Sequence, residues 1–269
     1  MTEKKDVHIK SQGDLQYGFN SITQMDGVAS NMLMDFGIYK MKKDEVITNS
    51  AALERAYLLM QGEVIFEWEG NKVEAKRQSL FEESPWCLHL PKDVEVTITV
   101  LKDDTEIALQ QTTNDKIFAP KLYTQEECRS EQFGAGTLNE TATRTVRTIF
   151  DDRNAPDANL VIGEVINHPG KYSSYPPHHH PQPEIYHYRF YPEGGFGFSC
   201  VGDDAYKVQN MDTVAIPGDL VHPQTAAPGY AMYYLWMIRH LDDSRFGERI
   251  FVDEHKWLLD PDAKIWPDK

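Results

Sequence analysis

Along most of the chain, apolar residues come in short runs or alternate with polar ones, at the two-residue period of a strand rather than the period of a helix. Runs rich in Val, Ile, Tyr and Phe fall at Ala56–Met60, Val64–Trp68, Val94–Leu101, Ile107–Thr112, Leu160–Ile166, Ile185–Tyr191, Phe196–Val201, Thr213–Ile216 and Met232–Ile238. Turn formers such as Gln61-Gly62 and Glu69-Gly70-Asn71 separate them, a spacing that predicts a sandwich or barrel. Two brief helices are expected. One covers Thr124–Glu131, where Thr124 and Glu127 have the spacing of a capping box, and the other covers Asp253–Leu259.

The stretch from Pro120 to Arg144 is polar, contains Gly134-Ala135-Gly136 and lacks apolar periodicity, so it reads as a connector. On either side the order of events is similar. Glu82–Leu90 runs into Pro91-Lys92-Asp93, and Met211–Ile216 runs into Pro217-Gly218-Asp219. We read a weak internal repeat: an all-β chain of two tandem barrels, 1–122 and 144–269, joined by 123–143.

Composition narrows the function. With 269 residues and 41% apolar positions the chain has enough apolar material for two cores. A net charge of −15 argues against a nucleic-acid partner, which needs clustered Lys and Arg. The polar start MTEKKDVHIKSQGD has no apolar signal region, and no run is long enough to cross a membrane. Cys87, Cys128 and Cys200 are odd in number and far apart, which predicts thiols in a reducing compartment rather than a disulfide framework. A cytoplasmic protein is expected.

The chemistry lies in Tyr172–Tyr191, YSSYPPHHHPQPEIYHYRFY. On a strand, residues two apart share a face, so His178 and His180 aim together while His179 points away. A turn through Pro181-Gln182-Pro183 brings Glu184 beside them, and His222, after Ile216–Val221, supplies a fourth ligand from another wall. Imidazoles with one carboxylate suit one divalent ion per chain, Zn²⁺ or Mn²⁺ first, with Fe²⁺ or Ni²⁺ also accepted. With Glu184 inward, Tyr186, Tyr188 and Phe190 share its face, and Ile185, His187 and Arg189 point outward. Tyr186 and Tyr188 then line the cavity, placed to hydrogen-bond or move a proton. The remaining histidines, His8, His89, His168, His240 and His255, are expected on the surface or in structural roles.

The HxHxxxE pattern followed by a late Pro-turn His resembles the cupin superfamily of double-stranded β-helix barrels. More narrowly, Ser173-Ser174-Tyr175-Pro176-Pro177-His178, Pro228-Gly229-Tyr230 with Tyr233-Tyr234-Leu235, Arg144-Thr145-Val146, Pro156–Leu160 and His255-Lys256-Trp257 resemble the 5-deoxy-glucuronate isomerase family of myo-inositol catabolism. The resemblance implies a bicupin with its metal in the C-terminal barrel, held by His178, His180, Glu184 and His222. It also implies conversion of 5-deoxy-glucuronate to 5-dehydro-2-deoxy-gluconate. The chain departs from the pattern around the site: only Pro181-Gln182-Pro183 separates His180 from Glu184, and Tyr188 stands where the family tends to place a histidine.

Such an aldose–ketose isomerisation needs a Lewis acid for the enediolate and a base for the carbon-bound proton. The base is a metal-activated water, Glu184, or a tyrosine such as Tyr186. Arg189 and Arg239 are candidates for the substrate's carboxylate, although alternation turns Arg189 away from the metal. Competing readings are a 4-deoxy-5-keto-uronate isomerase of pectin breakdown and a metal-dependent dioxygenase on the same scaffold. The first barrel has no HxH–Glu set, which suggests a supporting role and a homodimer or higher homo-oligomer.

Overall fold

The computed structural model describes residues 7–267, so part of the polar N-terminal stretch read above lies outside the described residues. The chain divides into two compact units. One holds Gly13–Arg129 with Ile149–Val161; of the described residues the other holds those up to Gln12, Ser130–Thr148 and those from Ile162 onward. This exchange of segments corrects the simple boundaries 1–122, 123–143 and 144–269. The reason is pairing. His8–Ile9 forms a strand against Val214 and Thr213, and Val7 joins the C-terminal core.

Both units are β-barrels, as the alternation predicts. In the N-terminal unit a nine-stranded sheet curls around a core that includes Tyr57, Leu59, Phe66, Leu88, Ile98 and Leu109. Its central strand, Glu54–Trp68, is longer than expected. The Gln61-Gly62 pair does not close a hairpin there; the register shifts between Leu59 and Gln61, and the strand bends and continues. Gly62 has φ +110, and a Cβ on it would collide with Thr105. Arg55, on the same strand, is wholly buried. Its guanidinium donates to the carbonyls of Leu53, Asn49, Pro91 and Val94 and to Asn49 Oδ1, at 2.7–3.1 Å.

The C-terminal unit pairs a seven-stranded sheet with a four-stranded one. In the larger sheet Glu184–Tyr191 lies between Thr213–Ile216 and Ala231–Arg239. The smaller joins Tyr172–Ser173, Gln224–Ala226, Phe196–Val201 and Asp204–Gln209. Between them lies a core of Tyr186, Tyr188, Phe190, Val208, Val214, Ile216, Met232 and Tyr234.

Of the two expected helices, Asp253–Leu259 is present as a 3-10 helix. Thr124–Glu131 is not a helix. The capping box forms, Thr124 N to Glu127 Oε2 at 3.1 Å and Glu127 N to Thr124 Oγ1 at 3.3 Å, and Cys128 N closes one turn on Thr124 O. Residues Arg129–Phe133 then leave as a strand, because pairing at a sheet edge outweighs a local helix start. Among the described residues no helix is long and apolar enough to cross a membrane, and no disulfide joins the three cysteines.

Candidate metal centre

Three segments of the C-terminal barrel bring the site together. His178–His179 is a two-residue strand, Glu184 opens the strand Glu184–Tyr191, and His222 follows the turn after Thr213–Ile216. The register places Glu184 opposite Ile216, at the end of the strand that leads to His222. The turn packs tightly against the first segment, with Asp219 N donating to His180 O at 2.8 Å. A Cβ on Gly218 would strike the Pro181 carbonyl, so glycine is what allows this approach.

The side chains converge on one carboxylate oxygen. His180 Nε2 lies 3.2 Å and His222 Nε2 3.3 Å from Glu184 Oε2. Ligand atoms of His180, Glu184 and His222 all fall within 4.8 Å of one another, and all three residues are buried. His178 stands at the edge of this group, its ring 5.3 Å from that of His222. His178 Nδ1 meets Pro176 O at 2.9 Å and His222 Nδ1 meets Leu220 O at 2.7 Å. A carbonyl accepts, so each ring carries a proton on Nδ1, which leaves Nε2 as the atom available to an ion.

The electrostatics suit a cation. Burial alone would raise the Glu184 carboxyl, but hydrogen bonds and charge from His180 and His222 hold it down at about 2. Burial, together with the charge of His222, pushes His178 down to about 3. Burial lowers His222, but its hydrogen bond and charge contact with Glu184 outweigh burial and raise it above its ordinary 6.5. An ionised carboxylate beside imidazoles in a buried setting is a donor set that suits a divalent transition ion.

The strand phase read from the sequence holds. Tyr186, Tyr188 and Phe190 face the barrel core, while His187 lies on the opposite face with Nδ1 2.9 Å from Thr213 Oγ1. His179 is likewise turned outward, 3.6 Å from Asp219. Tyr186 is the tyrosine nearer the cluster, its ring 6.0 Å from that of His222 and its hydroxyl 3.0 Å from Ser174 Oγ. Burial, then the charge of Glu184, raises its phenol well above the usual range, so it keeps its proton. Tyr188 donates to Gln224 Oε1 at 2.6 Å, and Gln224 Nε2 donates to His222 O at 2.7 Å.

Sequence reasoning did not single out Ser173, Ser174, Gln224 and Tyr234 as individual residues. Tyr234 donates to Ser173 at 2.9 Å and packs 4.5 Å from the Tyr186 ring. The two serines belong to the stretch before His178 that carried the resemblance; nothing in the pattern around Gln224 marks it. The proposed carboxylate cations fare differently. Arg239 Nη1 is held by the His240 carbonyl and by Asp242, and Arg189 shares the outward side of its strand with His187.

Comparison with known proteins agrees with this architecture. A 1.90 Å crystal structure of an IolB-like protein from Salmonella typhimurium LT2 superposes with a TM-score of 0.83 at 24% identity, covering 94% of this chain and 99% of that one. Lactobacillus farciminis oxalate decarboxylase superposes at 0.69 with 11% identity, over 94% of this chain and 90% of its own, which supports the tandem cupin fold. In sequence the chain is 30% identical to 5-deoxy-glucuronate isomerase of Bacillus subtilis subsp. natto, over 68% of this chain and 71% of the relative. It is 27% identical to that of Geobacillus thermodenitrificans, over 84% and 86%. The KduI/IolB family model matches residues 8–258, which takes in both barrels and every residue of the His–Glu cluster, and the chain therefore belongs to the KduI/IolB family.

Proposed function

We propose that the protein is a metal-dependent aldose–ketose isomerase that converts 5-deoxy-glucuronate to 5-dehydro-2-deoxy-gluconate in myo-inositol catabolism. The observation that carries this reading is the convergence of His180 and His222 on Glu184 in a tyrosine-lined barrel whose sequence relatives bear that enzyme name. His178, His180, Glu184 and His222 would hold one divalent ion, Zn²⁺ or Mn²⁺ before Fe²⁺ or Ni²⁺. Such an ion supplies Lewis-acid stabilisation for the negative charge that develops on the two substrate oxygens.

The chain's own groups divide the remaining work. Glu184, ionised at neutral pH, takes the proton from the hydroxyl-bearing carbon and returns it to the neighbouring aldehyde carbon. Tyr186 keeps its proton and offers it to a substrate oxygen, with Ser174 orienting the hydroxyl. Tyr188 acts one step back, fixing Gln224 and through it the His222 backbone. Aromatic walls from Tyr186, Tyr188 and Tyr234 exclude bulk water from the enediolate. We place the enzyme in the cytoplasm as a homodimer or higher homo-oligomer, on the strength of its free thiols, its acidic surface and a first barrel without a ligand set. Light scattering measures the assembly.

Incubating the metal-loaded protein with 5-deoxy-glucuronate under anaerobic conditions, with a readout for the 2-deoxy-5-keto acid, tests the activity. Turnover without oxygen consumption is expected. No product, or product only when oxygen is consumed, overturns the reading.

A further inference from the structure

The strand His178–His179, which leads into His180, is itself paired with the segment Ile250–Phe251. His178 stands opposite Phe251, and His179 opposite Ile250. Opposed residues of an antiparallel pair share a face, and the next residue but one returns to it. Phe251 obeys this rule, its ring 5.5 Å from that of His178. Ile250 lies on the outer face beside His179 and is 49% exposed. Arg249 is the next residue along, one position beyond this pairing and exposed, and continued alternation places it on the side of Phe251.

The surrounding chain fixes this segment across the site. Phe246 packs edge-on against His180 at 4.9 Å, and its N–H donates to His240 Nδ1 at 2.8 Å. Gln182 Nε2 donates to Ser244 O at 2.9 Å, and Val252 N to Pro177 O at 3.0 Å. Residues 244–252 thus form a strap anchored at both ends to residues that flank the strand His178–His179. Arg249 is exposed on this strap and has no ion-pair partner among the described residues. Its charge acts on His178 and on the buried Arg144, whose guanidinium donates to Ala142 O and Tyr175 O.

We infer that Arg249 is the guanidinium that receives the substrate's carboxylate at the mouth of the metal site, delivered there by the strap 244–252. The inference rests on the sugar-acid reading above. A planar guanidinium fork matches a carboxylate bidentately, and among the arginines considered for this part Arg239 and Arg189 are otherwise placed. A strap residue also leaves the ligand set undisturbed when the acid enters, because its backbone is already tied down.

The test compares wild type with Arg249→Gln and Arg249→Lys, using 5-deoxy-glucuronate and 5-deoxy-glucose, the same sugar with an alcohol in place of the acid. For Arg249→Gln, KM for the acid should rise about tenfold to a hundredfold with kcat moved far less. Turnover of the alcohol and the metal content should stay as in wild type, and Arg249→Lys should recover part of the loss. An unchanged KM and an unchanged preference for acid over alcohol would overturn the inference. Should wild type fail to convert 5-deoxy-glucuronate, the proposed function falls, and Arg249 is judged by calorimetric binding of D-glucuronate to the metal-loaded protein. Weaker binding by Arg249→Gln then upholds the assignment. Equal binding, or none by wild type, refutes it.

Discussion

Glu184 and Arg55 hold the same place in their respective barrels. Glu184 pairs with Ile216, which leads into Pro217-Gly218-Asp219; Arg55 pairs with Leu90, which leads into Pro91-Lys92-Asp93. Both turns end on an Asp in the left-handed region, at φ 66 and φ 67. Tyr186 and Tyr188 follow Glu184 into one core, as Tyr57 and Leu59 follow Arg55 into the other. Where one barrel presents a carboxylate to two histidines, the other carries a guanidinium, hydrogen-bonded to the turn.

That difference makes metal loss specific to one set of residues. Glu184→Gln and His222→Ala should each lower metal affinity by about tenfold to a hundredfold or more, and activity with it, while the fold is retained. Arg55→Gln should leave the metal content per folded chain near wild type. Elemental analysis after dialysis against a chelator reads all three variants. Full metal retention by both Glu184→Gln and His222→Ala would discard the proposed ligand set.

The two cavity tyrosines should separate kinetically. Tyr186→Phe removes a proton beside the cluster and is expected to lower kcat by about a hundredfold with metal retained. Tyr188→Phe leaves Gln224 without its donor, so its main effect should be a stability loss of about 1–3 kcal/mol. Steady-state kinetics and urea melts on the same preparations decide it, and a reversed pattern would move the catalytic role to Tyr188.

A buried acid in the N-terminal unit sets a pH dependence. Glu54 accepts hydrogen bonds from Asn159 N, Leu160 N and Asn114, and His89 Nε2 lies 2.9 Å away. Burial raises its carboxyl, but His89 and these hydrogen bonds outweigh burial and leave it below its ordinary 4.5. A depressed acid stabilises the fold above its unfolded value, and the contribution disappears as pH falls through the folded value. Glu54→Gln should therefore destabilise by about 1–3 kcal/mol at pH 7, and the gap to wild type should narrow below pH ~4.5. Urea melts across pH 3–7 give the curve; a gap that widens on acidification contradicts the assignment.

Removing residues 1–12 takes away the strand that pairs with Thr213–Val214, together with Val7 and the contact of His8 Nε2 with Asp212 Oδ2 at 3.0 Å. We expect this truncation, and the fragment 144–269 more severely, to melt at lower temperature and hold metal less firmly. Scanning calorimetry with metal analysis measures both. A fragment 144–269 that is soluble, monomeric and fully active would show that the first strand and the first barrel are dispensable.

The inward phase of the strand Glu184–Tyr191 was legible because alternation is a local property, and the Pro-Asp turns were legible because their chemistry is local too. The convergence of His180, Glu184 and His222 follows from those two features. Elsewhere a distant partner decided the outcome. The capping box at Thr124 began a helix that a sheet edge ended, and Gln61-Gly62 became a bend within a strand because Thr105 lies against it. Arg249 carries no signal of its own. Its position depends on Phe251 reaching His178 across 73 residues of chain, roughly a quarter of the sequence, a separation that alternation does not see.

The pairing of His8 with Val214 also orders events during synthesis. The first described strand waits longest for its neighbour, because Asp212, which binds it, emerges 204 residues after His8. At ribosomal rates of about 5–20 residues per second this means a wait on the order of ten seconds or more. Through that interval the first strand stays without this partner while the rest of the chain is made. Its two-residue length and the charge of the adjoining Lys10 keep a waiting edge from recruiting another chain.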